Sequence, residues 1–204
     1  DLGCRARWKI DRVFPLAFQS YSLKNSLENT IRIKFKKNGL NESKTIIWFV
    51  GTFGQTYDLA TVIKSVKILK CIENIQFVFT GDGEKSTQWR LLAKGRSNIL
   101  FTGWVNKDEL IYLSSVANIG LMSYKKNAPQ GLPNKIFEYL AAGVPILSSL
   151  DGEAKKLLKN EGVGLTYEAN NVEDFAEKLT TYIDNKKLMN ETADRCLSLY
   201  KSKY

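Results

Sequence analysis

A carboxylate, Glu138, stands inside an apolar segment of the sequence, APQGLPNKIFEYLAAGVPIL, residues 128–147. Pro133 suits the first position of a helix, so the segment predicts a helix over residues 133–142. The side chains around Glu138 are almost all apolar, and such a helix is expected to be buried nearly all round. Burying a carboxylate that has no partner is costly. The pattern therefore favours a Glu138 that faces a ligand over one that forms a surface pair with Lys135, three residues earlier.

The start of this predicted helix is suited to an anion. The N–H groups of Asn134 and Lys135 would lack partners within the helix. A phosphate bound there would receive hydrogen bonds from them and would interact favourably with the helix dipole and the Lys135 ammonium. Glu138, a turn and a half further along, could then accept two hydrogen bonds from a diol such as a ribose. The segment thus predicts a site for a phosphorylated ligand that carries a sugar.

Three further glycine turns each follow an apolar run: GTFGQTY (51–57), TGDGEK (80–85) and FTGWV (101–105). In an open α/β sheet, such turns lie at the carboxyl ends of the strands, where ligands bind. The first is neither a dinucleotide-binding fingerprint nor a P-loop, so it is either a phosphate-binding turn or a plain connection between strand and helix. Asp82 in the second could ligate a metal, although a turn residue is the commoner role. Trp104 in the third suits a planar ring, or simply packs.

The composition fits a globular chain that forms one large domain, since 44% of its 204 residues are hydrophobic and 25% are charged. The sequence contains no histidine, so this chain alone can build neither a Ser-His-Asp triad nor a histidine-ligated metal site. Its three cysteines, Cys4, Cys71 and Cys196, form no CxxC motif and favour a reducing compartment. No apolar run is long enough to predict a membrane span.

The formal net charge of the chain is +9. A basic surface is compatible with nucleic acid, anionic lipid or phosphorylated ligands as partners, and also with plainly solvated faces. No interleaving of aromatic and basic residues marks a nucleic-acid groove or a stacking platform. A basic nucleic-acid-binding domain is therefore the least favoured of the alternatives.

Short apolar runs alternate with segments of helical period from residue 45 onward. Six strands joined by helices require parallel pairing through right-handed crossovers, which predicts a doubly wound, Rossmann-like α/β fold with helices on both faces of a six-stranded sheet. Asn106 and Glu109 are spaced as a capping box at the start of one helix. The strands, with their glycine turns, are predicted over residues 45–51, 75–83, 98–105, 117–123, 144–149 and 163–168, and the helices over residues 57–71, 84–94, 107–116, 133–142, 152–160, 171–185 and 187–203.

Residues 1–40 fit this alternation poorly. They contain a candidate strand over residues 9–18 and a candidate helix over residues 25–40, which ends near Gly39. We interpret residues 1–40 as a linker or the remnant of a preceding N-terminal domain, and residues 41–204 as the ligand-binding domain. The sequence is accordingly expected to be a fragment of a longer protein.

The order of these turns, and QGLPNKIFEYLAAGVPIL above all, resembles the nucleotide-binding half of the GT-B-fold glycosyltransferases, specifically the large retaining family 4. The resemblance runs from about Thr45 to the end of the chain and includes VGTFG, FVFTGDGE and NILFTGWVNKDELIYLSSVANIGLMS. It implies the C-terminal half of a GT-B fold, which binds a nucleoside diphosphate sugar. The sugar would be transferred, with retention and without a metal or another cofactor, to an acceptor held by the N-terminal domain. Polysaccharide-biosynthesis precedents in the family imply a glycan or lipid-linked glycan acceptor, and a cytoplasmic location with peripheral contact at the inner face of the membrane.

The resemblance also implies roles for individual residues. Glu138 would bind the ribose hydroxyls of the donor, and Lys135 and Gln130 would act in catalysis. Trp104 and Val105 would flank the base. The remaining donor-binding positions would surround the diphosphate or line the cleft: Gly51, Phe53, Gly54, Gly81, Asp82, Gly131, Leu132, Pro133 and Asn134.

The sequence departs from the family pattern at three positions. The first glutamate of the family's E-x7-E motif is Gln130 here, and the arginine and lysine of the first turn are Thr52 and Tyr57. Lys135 or Lys125 could replace the missing cations. A non-catalytic nucleotide-sugar-binding or regulatory module that keeps the fold is therefore an alternative interpretation. The family also uses a cleft residue from its other domain, often a histidine, so this chain is expected to be inactive alone.

Overall fold

The computed structural model of this protein describes residues 23–69 and 72–204. Its strands are β1 (Thr45–Val50), β2 (Ile75–Thr80), β3 (Ile99–Gly103), β4 (Ile119–Met122), β5 (Ile146–Ser148) and β6 (Gly164–Thr166). They form one sheet in the order β3-β2-β1-β4-β5-β6, and every neighbouring pair is parallel. The chain therefore winds outward from β1 in one direction and then from β4 in the other.

Helices connect and flank these strands. Asn106 and Glu109 form the predicted capping box at the start of one of them, with both reciprocal hydrogen bonds present. A short 3-10 helix, Ile72–Asn74, precedes β2. The α-helices of the described residues are α1 (Asn25–Lys37), α2 (Leu59–Ser65), α3 (Ser86–Leu92), α4 (Lys107–Val116), α5 (Lys135–Ala141), α6 (Glu153–Glu161), α7 (Val172–Asp184) and α8 (Lys186–Lys203).

Two hydrophobic cores lie on opposite faces of the sheet. Successive side chains of a strand point to opposite faces, and in β1 Ile46 and Trp48 belong to one core while Ile47 and Phe49 belong to the other. Buried residues of α1, α4, α5, α6 and α8 complete the first core, and those of α2, α3 and α7 complete the second. The predicted doubly wound fold with helices on both faces is confirmed, and the strands read as continuous apolar runs because both faces are covered.

Two predicted helix boundaries are wrong. The helix predicted over residues 57–71 is regular only to Ser65, after which the chain forms turns. The helix predicted from Pro133 begins at Lys135. Its first turn is closed by bonds three residues back, from the N–H of Ile136 to the oxygen of Pro133 (3.0 Å) and from Phe137 to Asn134 (2.9 Å), so the regular α-helical turns start later.

The first described helix, α1, packs onto α4. Ile31 and Phe35 are buried on this side, and the Phe35 ring stacks on Tyr112 with 5.8 Å between ring centres. The assignment of residues 1–40 to a linker or domain remnant stays a prediction, and the candidate strand over residues 9–18 lies outside the described residues. Within the described part of the chain, no helix is both long enough and apolar enough to cross a membrane.

Candidate functional site

The loops that follow β1 and β4 meet where the strand order reverses, which is where open α/β sheets bind ligands. The N–H of Asp58 donates to the oxygen of Ser123 (3.0 Å), and the N–H of Lys125 donates to the oxygen of Thr56 (2.9 Å). Between these bonds, the ring centres of Tyr57 and Tyr124 lie 4.7 Å apart. The two loops are thus joined into one unit at the carboxyl edge of the sheet.

The side chain of Lys135 extends from α5 toward these joined loops. Its ammonium nitrogen Nζ donates to the oxygen of Val50 (2.8 Å) and lies 4.2 Å from the ring centres of both Phe49 and Tyr57. Only 7% of the residue is exposed. Nζ also lies against the turn after β1, since a Cβ atom built on Gly51 would be 3.2 Å from it. Cation–π contacts and one carbonyl therefore hold this charge directly beneath the Gly51 turn.

Lys135 and Glu138 do not form the surface ion pair that was the alternative to a ligand-facing carboxylate. No carboxylate of the described residues lies within ion-pair distance of the Lys135 ammonium. Burial lowers the pKa of Lys135 to about 7, against a smaller opposing effect of Glu138. Burial likewise raises the pKa of the half-buried Glu138, and Lys135 opposes the rise. Lys135 and Glu138 are one helical turn apart and are both desolvated, and neither forms an ion pair within the described residues. Burying their charges is therefore costly for the free protein.

The burial of Lys135 predicts that the fold becomes more stable as pH rises from about 7 to about 10. The unfolded chain keeps the proton up to the ordinary lysine pKa of 10.5, whereas the folded chain releases it from about 7. In this window the unfolded state binds more protons, so the free energy of unfolding gains up to about 1.4 kcal/mol per pH unit. Urea unfolding of the wild type and of Lys135→Met across this range measures the difference between their slopes. An identical pH dependence in both proteins would contradict the prediction, and Lys64→Met, at an exposed position of α2, is the matched control.

The loop before α5 presents unpaired backbone groups. Within the described residues, the N–H groups of Gln130, Gly131, Leu132 and Asn134 make no hydrogen bond to the protein. Asn134 occupies the cap position of α5 with helical φ and ψ, and its side chain does not cap the helix. The predicted unsatisfied donors are therefore present although the helix starts two residues later than expected. The side-chain oxygen Oε1 of Gln130 is buried and also lacks a partner.

Some of the glycines predicted at the donor site are required by the packing of the turns themselves. A Cβ atom on Gly81 would lie 2.0 Å from the oxygen of Gly51, so a side chain at residue 81 cannot be accommodated. The N–H of Gly51 donates to the oxygen of Thr80 (3.0 Å), and that of Gly81 donates to Gly103 (2.9 Å). These two N–H groups are thus already used to hold neighbouring strand ends together. Gly54, by contrast, has open space beside its Cα atom.

Phe53 was predicted to contact the donor, and the structure places it in the core instead. Its side chain is completely buried, with its ring centre 5.2 Å from that of Trp89. Its N–H donates to the oxygen of Asp82 (2.9 Å), and its oxygen accepts from the N–H of Lys85 (3.0 Å). Neither its ring nor its backbone is available to a ligand, because the turn folds the aromatic side chain back under the sheet.

Asp82 acts as a turn residue in this structure. Its Oδ1 accepts hydrogen bonds from the Ser86 hydroxyl and from the N–H of Gly83 (2.8 Å), and these bonds lower the pKa of the carboxyl. The described residues contain no group of three acidic or sulfur side chains that could hold a metal ion. Asp82 therefore shapes the turn after β2, and its carboxylate is occupied by that task.

At the end of β3, Trp104 projects into solvent with 68% of its surface exposed. Val105 packs partly against the core beside it. The interpretation that Trp104 simply packs is wrong, and its contact with a base stays a prediction, for which the exposed indole is accessible. Leu132 is also well exposed and Pro133 partly so, on the loop before α5.

The aromatic box around Lys135 is the feature that sequence reasoning missed. Phe49 belongs to the core on the face of the sheet opposite α5, and the Lys135 side chain reaches its ring past the end of β1. Tyr57 and Tyr124 come from the two joined loops. The available signal was Tyr57 itself, an aromatic residue in place of the expected cation, together with a lysine in an otherwise apolar helix. Combining the two requires a contact between Tyr57 and Lys135, which are far apart in the sequence, and the pattern of either segment does not predict it.

Comparisons of the sequence match this chain to glycosyltransferases. The family model described as "Glycosyl transferases group 1" matches residues 30–196. The chain is 27% identical over 174 residues to the putative glycosyltransferase YtcC of Bacillus subtilis (strain 168), a match that covers 80% of this chain and 42% of that relative. The chain thus spans less than half the length of this curated relative.

Solved structures share the fold at low identity. Anabaena Alr3699/HepE in complex with UDP-glucose superposes with a TM-score of 0.74 at 14% identity, covering 92% of this chain and 52% of that chain. The C-terminal domain of LpcC, a glycosyl transferase group 1 family protein of Francisella tularensis, gives a TM-score of 0.70 at 20% identity, covering 84% of this chain and 90% of that one. The predicted GT-B-like architecture is confirmed. Because the family model matches most of its length, the chain belongs to the group 1 glycosyl transferases.

Proposed function

We propose that this chain is the donor-binding domain of a retaining glycosyltransferase of family 4, which binds a nucleoside diphosphate sugar along the carboxyl edge of its sheet. The observation that carries the proposal is the pair of desolvated, unneutralised charges on α5. Lys135 lies beneath the Gly51 turn and Glu138 lies one helical turn further on. An anion beside the first and a diol beside the second would offset the cost of burying both.

The lysine charge favours a diphosphate. Nζ has a single protein acceptor, the oxygen of Val50, and the Gly51 turn that lies against it carries no acidic side chain. The loop over residues 130–134 adds backbone N–H groups without partners in the described chain. A diphosphate between this loop and the Gly51 turn would receive these donors together with the lysine charge. Lys135 would thereby replace the cation that the family has at position 57 and this chain lacks.

The chemistry that these groups can supply is electrostatic. As the bond between the sugar and the diphosphate breaks, negative charge grows on the leaving phosphate, and fixed donors aimed at it lower the barrier. Removing one such donor typically costs a factor of about 10² to 10³ in rate. We propose that the Lys135 charge fills this role without a metal ion. The acceptor, a glycan or lipid-linked glycan, and any residue that handles its proton would belong to another domain.

A non-catalytic nucleotide-sugar-binding module remains the second candidate. The uncharged Gln130 and the absence of a cation at Thr52 and Tyr57 favour it. Both candidates bind the donor, so binding alone does not separate them. Release of free nucleoside diphosphate by the full-length protein supplied with acceptor supports the enzyme, and tight binding without release supports the module.

Replacing Glu138 with alanine tests the proposal. We expect calorimetry to show that UDP-glucose binds the wild type and binds Glu138→Ala about 10 to 100 times more weakly, because hydrogen bonds to a charged group contribute about 1.5–3 kcal/mol. We also expect no loss of thermal stability, since the variant removes a buried carboxylate that has no partner in the described residues. Glu28→Ala, at a half-buried glutamate of α1, is the matched control. Equal affinity of Glu138→Ala and wild type for UDP-glucose would refute the role of Glu138.

A further inference from the structure

The strand order fixes the direction in which a donor would lie. Trp104 follows β3, the Gly51 turn follows β1, and the loop over residues 130–134 follows β4. With neighbouring strands about 4.8 Å apart, β3 and β5 are separated by roughly 19 Å along the edge. A donor whose base lies at Trp104 and whose diphosphate lies between the Gly51 turn and the loop therefore carries its sugar toward the loops that follow β4 and β5.

Glu153 stands at that end of the edge. It is the first residue of α6, directly after Gly152, in the connection that follows β5. Its carboxylate oxygen Oε2 faces the neighbouring loop, since a Cβ atom built on Gly131 would lie 3.4 Å from it. The side chain is exposed, and within the described residues it forms neither a hydrogen bond nor an ion pair. The nearby Lys155 is paired with Asp151 instead (2.9 Å).

The side chains of Glu153 and of Gln130, which precedes Gly131 in the loop, each present a hydrogen-bond acceptor that has no partner within the described residues. The Glu153 carboxylate accepts only, and the neighbouring residue in the loop, Gln130, has a buried Oε1 that also lacks a partner. A ligand rich in hydroxyl groups would supply the missing donors. A ligand that carries its own carboxylate would instead add a like charge beside Glu153.

We infer that Glu153 is a specificity-determining residue, which accepts hydrogen bonds from hydroxyl groups of the transferred sugar and disfavours sugars that carry a carboxylate. This inference rests on the proposed function, because it requires a donor bound along the edge. It goes beyond that function by naming the class of sugar: a neutral hexose is accepted, and a uronic acid is rejected. Gly131 is part of the same arrangement, since a side chain there would fill the space that the carboxylate faces.

A purely structural role for Glu153 predicts something different. A carboxylate in the first turn of a helix stabilises the helix dipole, and its removal would affect stability without distinguishing one sugar nucleotide from another. Glu173 is an exposed glutamate in the first turn of α7 and serves as the matched control for this effect. The ratio of two affinities, rather than either affinity alone, separates the two roles.

The test measures the binding of UDP, UDP-glucose and UDP-glucuronic acid to the wild type, Glu153→Ala, Glu153→Gln and Glu173→Gln by calorimetry. We expect Glu153→Ala to bind UDP-glucose about tenfold more weakly while its affinity for UDP stays within about twofold of wild type. We expect Glu153→Gln to reduce the preference for UDP-glucose over UDP-glucuronic acid, and Glu173→Gln to change neither ratio.

Several results would overturn the inference. One is a Glu153→Ala variant that keeps the wild-type ratio of UDP-glucose to UDP affinity, whether both affinities fall together or neither changes. Another is an unaltered preference against UDP-glucuronic acid in Glu153→Gln. A wild type that binds neither these three compounds nor any other nucleoside diphosphate sugar would instead refute the proposed function, and this inference with it. The two failures are therefore distinguishable by the wild type alone.

Discussion

Replacing Lys135 with methionine is expected to weaken the binding of UDP-glucose by about 10- to 100-fold near pH 6, the loss of about 1.5–3 kcal/mol of charge-assisted hydrogen bonding. The same change is expected to stabilise the free protein. Methionine has a similar length and fits between the rings of Phe49 and Tyr57 without a charge to desolvate. Replacement of buried charges by apolar groups of similar volume is often neutral or stabilising by about 1–4 kcal/mol. Weaker binding of UDP-glucose together with a higher free energy of unfolding would show that Lys135 serves ligand binding at the expense of stability.

Calorimetry with UDP-glucose and urea unfolding, both near pH 6, measure the two effects on the same samples. Lys64→Met, at the exposed face of α2, should change neither quantity appreciably. Lys125→Met tests the other cation that the sequence offers near the site. If Lys125→Met loses binding and Lys135→Met does not, the replacement cation is Lys125, and the proposed role of the buried lysine is wrong.

The fold could be predicted from the sequence because its signals are local. Apolar runs such as TIIWFV and IQFVFT specify strands covered on both faces, and the helical segments between them leave parallel pairing as the solution. Asn106 and Glu109 marked a helix start within a single turn of chain. The boundary of α5 was misplaced because a proline at a helix start is compatible with a first turn closed by i→i−3 bonds, and the sequence does not distinguish the two.

The site was only partly predictable because its contacts are long-range. The composition of α5 indicated a largely buried helix and a desolvated Glu138, but neither the burial of Lys135 nor what surrounds the lysine. That depends on the Lys135 side chain reaching past the end of β1 to the Phe49 ring on the other face of the sheet, and on the bridge between Tyr57 and Tyr124. Phe53 shows a different error, since it was assigned to the ligand together with Gly51 and Gly54, whereas its side chain anchors the turn in the core.

The protonation of Lys135 is expected to affect both the stability of the free protein and its affinity for the donor. In the free protein burial favours the neutral amine and lowers the pKa of Lys135 to about 7. A diphosphate bound against the Gly51 turn would favour the charged form and raise that pKa. The titratable groups that act on the ammonium are Glu138 on α5 and Tyr57 and Tyr124 on the joined loops, and Tyr139 follows Glu138 on the same helix. Burial raises the pKa of Tyr124 and of Tyr139, and it also raises that of Glu138, so Lys135 is the group that should exchange a proton around neutral pH.

The affinity for UDP-glucose is therefore expected to be nearly constant below about pH 7 and to fall by up to about tenfold per pH unit above it, because binding must then take up a proton. The diphosphate of UDP-glucose is esterified at both ends and has no group that titrates in this range, so the proton is assigned to the protein. Calorimetry near pH 8 in buffers of different ionisation enthalpy counts the protons taken up. We expect a value close to one for the wild type and close to zero for Lys135→Met. A wild-type affinity independent of pH up to about 9, with no proton uptake, would show that the lysine does not meet the diphosphate. The free energy of unfolding should rise over the same pH interval in which the affinity for UDP-glucose falls. Both effects have one cause, because burial removes from Lys135 the proton that binding of the diphosphate requires.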